Sequence, residues 1–275
     1  MNTALAQGFE VIYADNDSIF TKRDGACRED FEALAREIAR ETALPITLDQ
    51  HFKFLVLLKQ ESDPNLEATR RYYGKLTNGE LYYRGIELRR HDCPAFLKKF
   101  ETELMTILLD ADSAGDVWMR QYKHALDYVI ETCDLIRSGK VPLNELVISK
   151  NLRKPIYTYK SLFPHVVAAI QMAEKGKRLK YGEKIDFLYT DAEHRNPFRR
   201  VVPAAILDSR HRFFDREKYV QLALDVAETV LGVFGFSRGD LGLGAKPKDY
   251  IEEIKMERSR EIVSELETLT WSGPE

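Results

Sequence analysis

The sequence has few cysteines, and their spacing excludes two common structural devices. Cys27, Cys93 and Cys133 are odd in number and far apart, and no Cys-x-x-Cys pair occurs. A disulfide framework needs paired cysteines, and a structural zinc site needs closely spaced ligands. Neither is supported, so a reducing cytoplasm suits the chain best. The six histidines are also scattered, without the His-x-x-x-His spacing of a helical zinc site.

Long apolar runs and a basic excess are missing as well. No run approaches the roughly 20 apolar residues of a membrane helix, and MNTALAQGFE lacks the basic and apolar regions of a signal peptide. The net charge is −3, which does not indicate a generally basic nucleic-acid-binding protein. Basic residues nevertheless gather at 70–90 and 150–184, while acids gather at 24–41 and 249–267. This distribution permits a local phosphate-binding face.

The length and the hydrophobic pattern predict an α+β fold. The 275 residues are 44% hydrophobic and 31% charged, which is enough for a large core and two domains. The first part alternates strands and helices without a glycine-rich phosphate loop, and the second part is mostly helical. We expect helices at 28–42, 94–110, 117–138, 161–176, 215–234 and 250–269, a buried strand at 51–59, and a loose linker at 237–249.

Residues 8–20, GFEVIYADNDSIF, place two carboxylates close together after an apolar run. Residues 11–13 favour a strand, and the Asp-Asn-Asp run favours a tight turn, so the pattern predicts a hairpin with acids at its tip. With Asp15 and Asp17 on one side, carboxylates roughly 6 Å apart would repel by roughly 3 kcal/mol at an effective dielectric of about 20. Either a cation lies between the acids, or the stretch is an exposed Asx turn.

A second hairpin combines basic and aromatic side chains. RRYYGKLTNGELYYRGIELRR at 70–90 has the turn pair Asn78-Gly79. Guanidinium groups hold phosphates in a planar, bidentate way, and tyrosines add contacts to sugar and backbone. The alternative is a half-exposed hairpin whose arginines are solubilising edge charges.

Taken together, the two hairpins resemble family B DNA polymerases of the archaeal type. The third palm motif of that family reads Tyr-x-Asp-Thr-Asp-Ser, and this chain has YADNDS at 13–18. The Lys-x-Tyr motif of the family aligns with TRRYYG at 69–74. RGIELRRHDCPAFLKKF at 84–100 is similar to the palm segment that follows this motif, and 146–176 and 213–236 are similar to the archaeal thumb.

The resemblance implies a fold with three parts. Residues 1–112 would be the C-terminal part of the palm, built of antiparallel hairpins with packed helices and carrying the acid hairpin and the Lys-x-Tyr-like hairpin. Residues 113–236 would be the mostly helical thumb. Residues 237–275 would be a linker and a C-terminal amphipathic helix or tail.

The resemblance also implies the site. Asp15 and Asp17 would be the catalytic acids at two Mg²⁺ ions that are shared with a partner chain, with Asp17 the main ligand. Tyr13, Asn16 and Ser18 would support the turn. The residues implied for primer-template contact are Arg70, Arg71, Tyr72, Lys75, Arg89, Arg90 and Lys160. Asn16 replaces the threonine of the family motif and can shift the metal geometry, and Arg70 replaces its lysine.

Other parts of the family are not found in these 275 residues. They are the exonuclease domain, the first acid motif (Asp-x-x-Ser-Leu-Tyr-Pro) and the fingers helix with its dNTP-binding lysine. We therefore expect a cytoplasmic, nucleoid-associated small subunit of a split DNA-directed DNA polymerase, whose larger subunit supplies them. A sliding clamp is a further partner to consider, although the tail ELETLTW lacks the Gln-x-x-aliphatic spacing of clamp-binding peptides. The alternative is a catalytically inactive, polymerase-derived DNA-binding or assembly subunit.

Overall fold

The structure is a computed structural model that describes residues 1–60, 67–207, 213–236 and 238–241. Its internal contacts divide the chain into two compact units, Met1–Arg89 and Arg90–Glu275. The limits expected from the resemblance, at residues 112 and 236, remain a prediction. The helix predicted at 250–269 lies outside the described residues, and so does the predicted linker apart from a 3₁₀ turn at Arg238–Leu241.

The first unit contains two antiparallel sheets and a long helix. In chain order its elements are α1 (Asn2–Ala6), β1 (Glu10–Ala14), β2 (Ile19–Lys22), α2 (Arg28–Thr42), β3 (Phe52–Lys59), β4 (Glu67–Leu76), β5 (Leu81–Arg84) and a 3₁₀ turn at Glu87–Arg89. Strands β1 and β2 form a two-stranded sheet, and β3, β4 and β5 form a three-stranded sheet with β4 in the centre. Both predicted hairpins are confirmed.

Helix α2 begins and ends as its sequence predicts. The Cys27 amide donates to the Asp30 carboxylate at 2.8 Å, within a capping box that satisfies amides at the helix start. The helix ends at Thr42, and the next residue, Ala43, adopts a left-handed conformation with φ of 57°. Leu34 is buried against Ala4 and Phe9, so α1, β1 and α2 share a small core.

The three-stranded sheet is less buried than its sequence suggests. The strand expected to be buried at 51–59 is a strand, but only Leu58 is buried and most of its other side chains are half-exposed. The sheet instead buries aromatic side chains of β4, and Tyr73 is fully buried. Gly74 packs tightly against β3, because a Cβ at this position would lie 2.3 Å from the Phe54 carbonyl oxygen. The high apolar density therefore predicted the strand correctly, but it did not predict how far the strand is exposed.

The second unit combines helices with a third antiparallel sheet. Its regular elements are α3 (Ala95–Leu108), α4 (Ala114–Asp116), α5 (Tyr122–Ser138), β6 (Ile148–Asn151), α6 (Pro164–Glu174), β7 (Lys184–Tyr189), β8 (Val201–Pro203) and α7 (Arg216–Leu231). A π-helical turn at Val117–Gln121 precedes α5, and short 3₁₀ turns lie at Leu143–Glu145, Ile156–Thr158, Pro197–Arg199, Ala204–Ile206 and Gly232–Phe234. The sheet order is β6-β7-β8.

Most helix predictions for this unit are confirmed, and the sheet is the main addition. Helices α3, α5, α6 and α7 lie within the expected ranges, and α5 ends at Gly139 in the left-handed conformation that favours glycine. Helices α3, α5 and α7 pack against one another. The Tyr219 hydroxyl donates to the Leu146 carbonyl at 2.8 Å in the core and ties α7 to the segment before β6. The α+β fold class is confirmed.

Among the helices of the described ranges, none has both the length and the apolar character that crossing a bilayer requires.

Candidate active site and nucleic-acid interface

The turn between β1 and β2 is organised around the Asp15 carboxylate. One of its oxygens, Oδ1, accepts hydrogen bonds from the Asp17 amide at 2.9 Å, the Ser18 amide at 2.8 Å and the Ser18 hydroxyl at 2.9 Å. The turn is therefore an Asx-type turn, but it is not the freely exposed one of the alternative hypothesis. The Asp15 side chain is only 5% exposed, whereas that of Asp17 is 76% exposed.

These donors fix the ionisation state of Asp15. The hydrogen bond from the Asp17 amide is the largest cause that lowers the pKa of Asp15, and those from Ser18 and Arg70 add to it. Burial acts in the opposite direction, yet the pKa falls from 3.8 to about 2. Asp15 is therefore a carboxylate at neutral pH and holds the turn by charge-assisted hydrogen bonds.

Arg70 faces both acids from the second hairpin. Its Nε donates to Asp15 Oδ2 at 3.2 Å, and its Nη2 donates to Asp17 Oδ2. Its backbone amide donates to the Tyr13 hydroxyl at 3.0 Å. One guanidinium thus joins the two carboxylates whose repulsion the sequence predicted, and the cation between them is a side chain of the same chain.

An irregularity in β4 gives Arg70 this position. In the pairing of β4 with β3, Tyr72 lies opposite Leu57, and the next pair is Glu67 with Lys59. Four residues of β4, 68–71, therefore lie opposite a single residue of β3, Leu58. Arg70 lies in this bulge with φ of 57°, a left-handed conformation that non-glycine residues rarely adopt. Bulges redirect side chains out of the regular alternation. Here the bulge directs Arg70 towards residues 15–18 between β1 and β2, which we call the acid turn.

Gly85 is a further supporting residue that sequence reasoning missed. It has φ of 69°, and a Cβ there would lie 2.5 Å from the Arg70 carbonyl oxygen. The Arg71 Nε donates to the Gly85 carbonyl at 3.1 Å. Only glycine lets the chain after β5 pass this close to the bulge. A glycine inside the second strand of the predicted hairpin was the available signal, since such a glycine often marks a close approach of backbone.

The other residues expected to bind DNA in the second hairpin differ in accessibility. Tyr72 is 4% exposed, and its ring packs against Phe20 and Tyr82. Its ring is therefore not available for stacking on a base. Arg71 and Lys75 are half-buried.

Arg89 and Arg90 follow this hairpin and have different partners. The Arg89 guanidinium lies 5.7 Å from the centroid of the Tyr83 ring. Arg90 forms a bidentate ion pair with Asp92 at 3.1 and 3.2 Å. Both arginines are exposed, but only the charge of Arg90 is paired with a carboxylate in these contacts, whereas Arg89 donates to the Tyr83 carbonyl at 3.4 Å.

A second candidate interface lies in the second unit, at residues 150–165, which we call the basic-aromatic loop. Its exposed basic residues are Lys150, Arg153, Lys154 and Lys160, the last of which was expected to bind DNA. Tyr157 is 88% exposed, and the Lys154 ammonium lies 4.7 Å from the Tyr159 ring centroid. Exposed rings among basic side chains are typical of surfaces that contact nucleic acid. The charge pattern of the sequence indicated the basic residues of this loop but not the role of its aromatic ones.

The surroundings of His165 in this loop lower its pKa. Burial is the main cause that lowers its pKa, and the positive charges of Lys150 and Arg153 lower it further. The imidazole therefore favours its neutral form, which suits its stacked contact with Phe163 at 5.9 Å between ring centroids.

The acid turn carries two carboxylates that could supply part of the ligands of a magnesium site. Two carboxylates converge on one cationic group, and carboxylate oxygens are the ligands that Mg²⁺ prefers. Within the part of the chain that the structure describes, no cluster of three or more His, Cys, Asp and Glu side chains is suited to a metal. These two acids would therefore supply some of the ligands and leave others to come from elsewhere.

Comparisons with known proteins agree on one family. The family model described as DNA polymerase family B matches residues 2–234. The chain is similar to DNA polymerase 2 of Aeropyrum pernix, with 31% identity over 249 residues that cover 90% of this chain and 28% of the relative. It is also similar to the DNA polymerase of Archaeoglobus fulgidus, with 30% identity over 185 residues that cover 67% of this chain and 22% of the relative.

A solved structure shares the fold. The family B DNA polymerase from the hyperthermophilic archaeon Pyrobaculum calidifontis aligns with a TM-score of 0.64 and 24% identity. The alignment covers 86% of this chain and 28% of that one. The chain thus spans less than a third of the length of these relatives.

The low pKa of Asp15 predicts an acid-dependent contribution to stability. Because the folded value of about 2 lies below the ordinary 3.8, this contribution is present above pH 3.8 and is lost as the pH falls through the folded value. Urea unfolding should show a free energy of unfolding that declines less between about pH 4 and pH 2 in Asp15→Asn than in the wild type. Ser18→Ala should give an intermediate slope. Equal slopes for all three proteins would contradict the role assigned to this carboxylate.

Proposed function

The chain belongs to DNA polymerase family B, as the sequence motifs suggested, and from this membership we propose that it is the small subunit of a split DNA-directed DNA polymerase. In this role it supplies metal-binding aspartates and a grip on the primer-template duplex for template-directed nucleotidyl transfer from dNTPs. The observation that carries the proposal is the hydrogen-bonded acid turn, in which Asp15 and Asp17 converge on a single cation.

The two acids have different accessibility and would have different roles. Asp17 is the exposed carboxylate, so it is the one that can act as the main metal ligand. Asp15 uses one oxygen to hold the Asp17 and Ser18 amides, so it chiefly fixes the direction of Asp17. When bound, Mg²⁺ would supply charge stabilisation to the transferring phosphoryl group. Asn16 in the same turn is compatible with these roles of Asp15 and Asp17, since asparagine tolerates tight turns.

The small sheet next to the acids is the feature that favours a partner chain. In the described part of the chain, β1 and β2 pair only with each other, and Ile19 of β2 is exposed. Unpaired strand edges next to apolar side chains are usually covered in a functional assembly. We propose that a larger subunit with the exonuclease domain, the first acid motif and the fingers covers this sheet. The interface would be of the obligate type, at least roughly 2,000 Å².

The basic surfaces support contact with duplex DNA. The basic-aromatic loop presents Lys154 and Lys160 to solvent, and Arg89 extends the basic surface of the first unit. Such contacts to phosphates position a duplex without reading its sequence, which a replicative polymerase requires. Tyr72, which is buried, would act by supporting β4 instead of by stacking on a base.

A non-catalytic DNA-binding or assembly subunit is the second candidate. One observation favours it, because Arg70 neutralises both acids from within the chain. In that case the acid turn would be a structural ion-pair network, and DNA binding through the basic surfaces would remain.

A tagged chain isolated from its own cells tests the proposal. We expect a larger polypeptide with the first acid motif to copurify, and the complex to extend a primer with Mg²⁺ and dNTPs. Asp17→Asn should abolish extension while leaving assembly intact, since a shared ligand can contribute several kcal/mol to the transition state. Asp24→Asn, which removes an exposed acid from the loop after β2, is the matched control and should keep activity.

Two results would contradict the split-enzyme proposal. One is primer extension by the 275-residue chain alone. The other is near-normal extension by a complex that carries Asp17→Asn, which would favour the non-catalytic candidate.

The basic-aromatic loop generates a separate prediction about DNA affinity. Replacing Lys154 and Lys160 by alanine should weaken duplex binding about equally for different sequences. The dependence of log K on log salt should flatten by up to about 2, because two phosphate contacts are lost. Lys123 and Lys140 are exposed elsewhere in the same unit, and their double alanine variant has the same charge change. Fluorescence anisotropy that shows equal slopes for both double variants would remove the loop from the interface.

A further inference from the structure

Arg70 is placed where a metal ion at the acid turn would have to bind. Its Nε is 3.2 Å from Asp15 Oδ2, and its Nη2 donates to Asp17 Oδ2. These are oxygens of the two carboxylates that the proposed function assigns to the metal. The guanidinium puts a positive charge beside the oxygens that a divalent cation would use, and because the two cations repel each other at this distance, they compete.

The position of Arg70 is built into the fold. Its left-handed backbone is unfavourable for a residue with a Cβ, and such conformations persist only where surrounding contacts hold them. Here the Tyr13 hydroxyl accepts a hydrogen bond from the Arg70 amide, and Gly85 lets the segment after β5 pass close to the Arg70 carbonyl. The pairing is therefore specified by two hairpins and is more than a chance surface contact.

Arg70 also has a route to a different partner. Its side chain is 41% exposed, so part of the guanidinium can be reached from solvent. The planar fork of arginine matches phosphate as well as it matches carboxylate. A backbone phosphate of duplex DNA can thus draw the guanidinium away from Asp15 and Asp17.

We propose that Arg70 couples DNA binding to metal binding at the acid turn, an inference that rests on the proposed function. Without DNA, Arg70 occupies the carboxylates and keeps divalent cations weakly bound. With DNA, a phosphate takes the guanidinium, and the freed carboxylates bind the metal more tightly. Because such coupling is reciprocal, the metal also raises the affinity for DNA by the same factor.

The fork of Arg70 is central to this coupling. A lysine would meet the same acids as a point charge and could not hold two carboxylates through two separate nitrogens. The departure of this chain from the Lys-x-Tyr pattern therefore strengthens the competition.

Binding of Mn²⁺ to the full 275-residue chain, followed by the electron paramagnetic resonance signal of free Mn²⁺, tests the coupling. We expect Arg70→Gly to bind Mn²⁺ at least about tenfold more tightly than the wild type. Glycine is chosen because it tolerates the left-handed backbone, and Arg70→Ala serves as a second variant. Arg28→Ala removes the same charge from an exposed pair with Glu32 and should leave the affinity unchanged.

Primer-template DNA provides the second half of the test. Added DNA should tighten Mn²⁺ binding to the wild type but not to Arg70→Gly. Binding to the DNA itself is subtracted with the Asp15→Asn/Asp17→Asn double variant, which also identifies the site.

Three outcomes overturn the inference in distinguishable ways. Equal Mn²⁺ affinity of the wild type and Arg70→Gly, lost in the double variant, would refute the competition and leave the metal role of the acids intact. The same effect of DNA on both proteins would refute the release by phosphate. No Mn²⁺ binding above the double variant, even in Arg70→Gly, would refute the inference together with the proposed metal role.

Discussion

The structure of the site depends on one constraint, which is that two neighbouring carboxylates need a positive charge between them. Asp15 and Asp17 lie on the same tight turn, and the Arg70 guanidinium forms ion pairs with both. Asp15 cannot relieve the repulsion by taking up a proton at neutral pH, since hydrogen bonds from the Asp17 amide, Ser18 and Arg70 lower its pKa to about 2. A cation must therefore balance the negative charge of the two carboxylates. If the cation is Arg70, the turn is an ion-pair network; if it is a metal ion, the turn would be part of a catalytic centre.

Three features of the second hairpin bring this cation to the acids. The bulge in β4, the left-handed Arg70 backbone and Gly85 after β5 all act at one point of the second hairpin. The aromatic cluster of Phe20, Tyr72 and Tyr82 lies between the two hairpins and packs them together. A buried Tyr72 is thus understandable as part of the support for the site, since a ring used for stacking on DNA would have to leave this cluster.

The sequence predicted elements better than it predicted their surroundings. Local signals sufficed for the Asp15 turn, the Asn78-Gly79 hairpin and the end of α5 at Gly139. They did not reveal β6 and β8, which are strands of four and three residues and too short to show a period. They also did not reveal the bond from Arg70 to Asp15, because it joins residues 55 positions apart and depends on a bulge that no local pattern indicates.

The most direct measurement of the central claim is a crystal structure of the chain with primer-template DNA and Mn²⁺, using anomalous scattering to locate the metal. We expect an anomalous peak at bonding distance from the Asp17 carboxylate. It also predicts that the Arg70 side chain has turned away from both acids to contact a phosphate. An Arg70 that still bridges Asp15 and Asp17 beside bound DNA, with no anomalous peak at the turn, would contradict it.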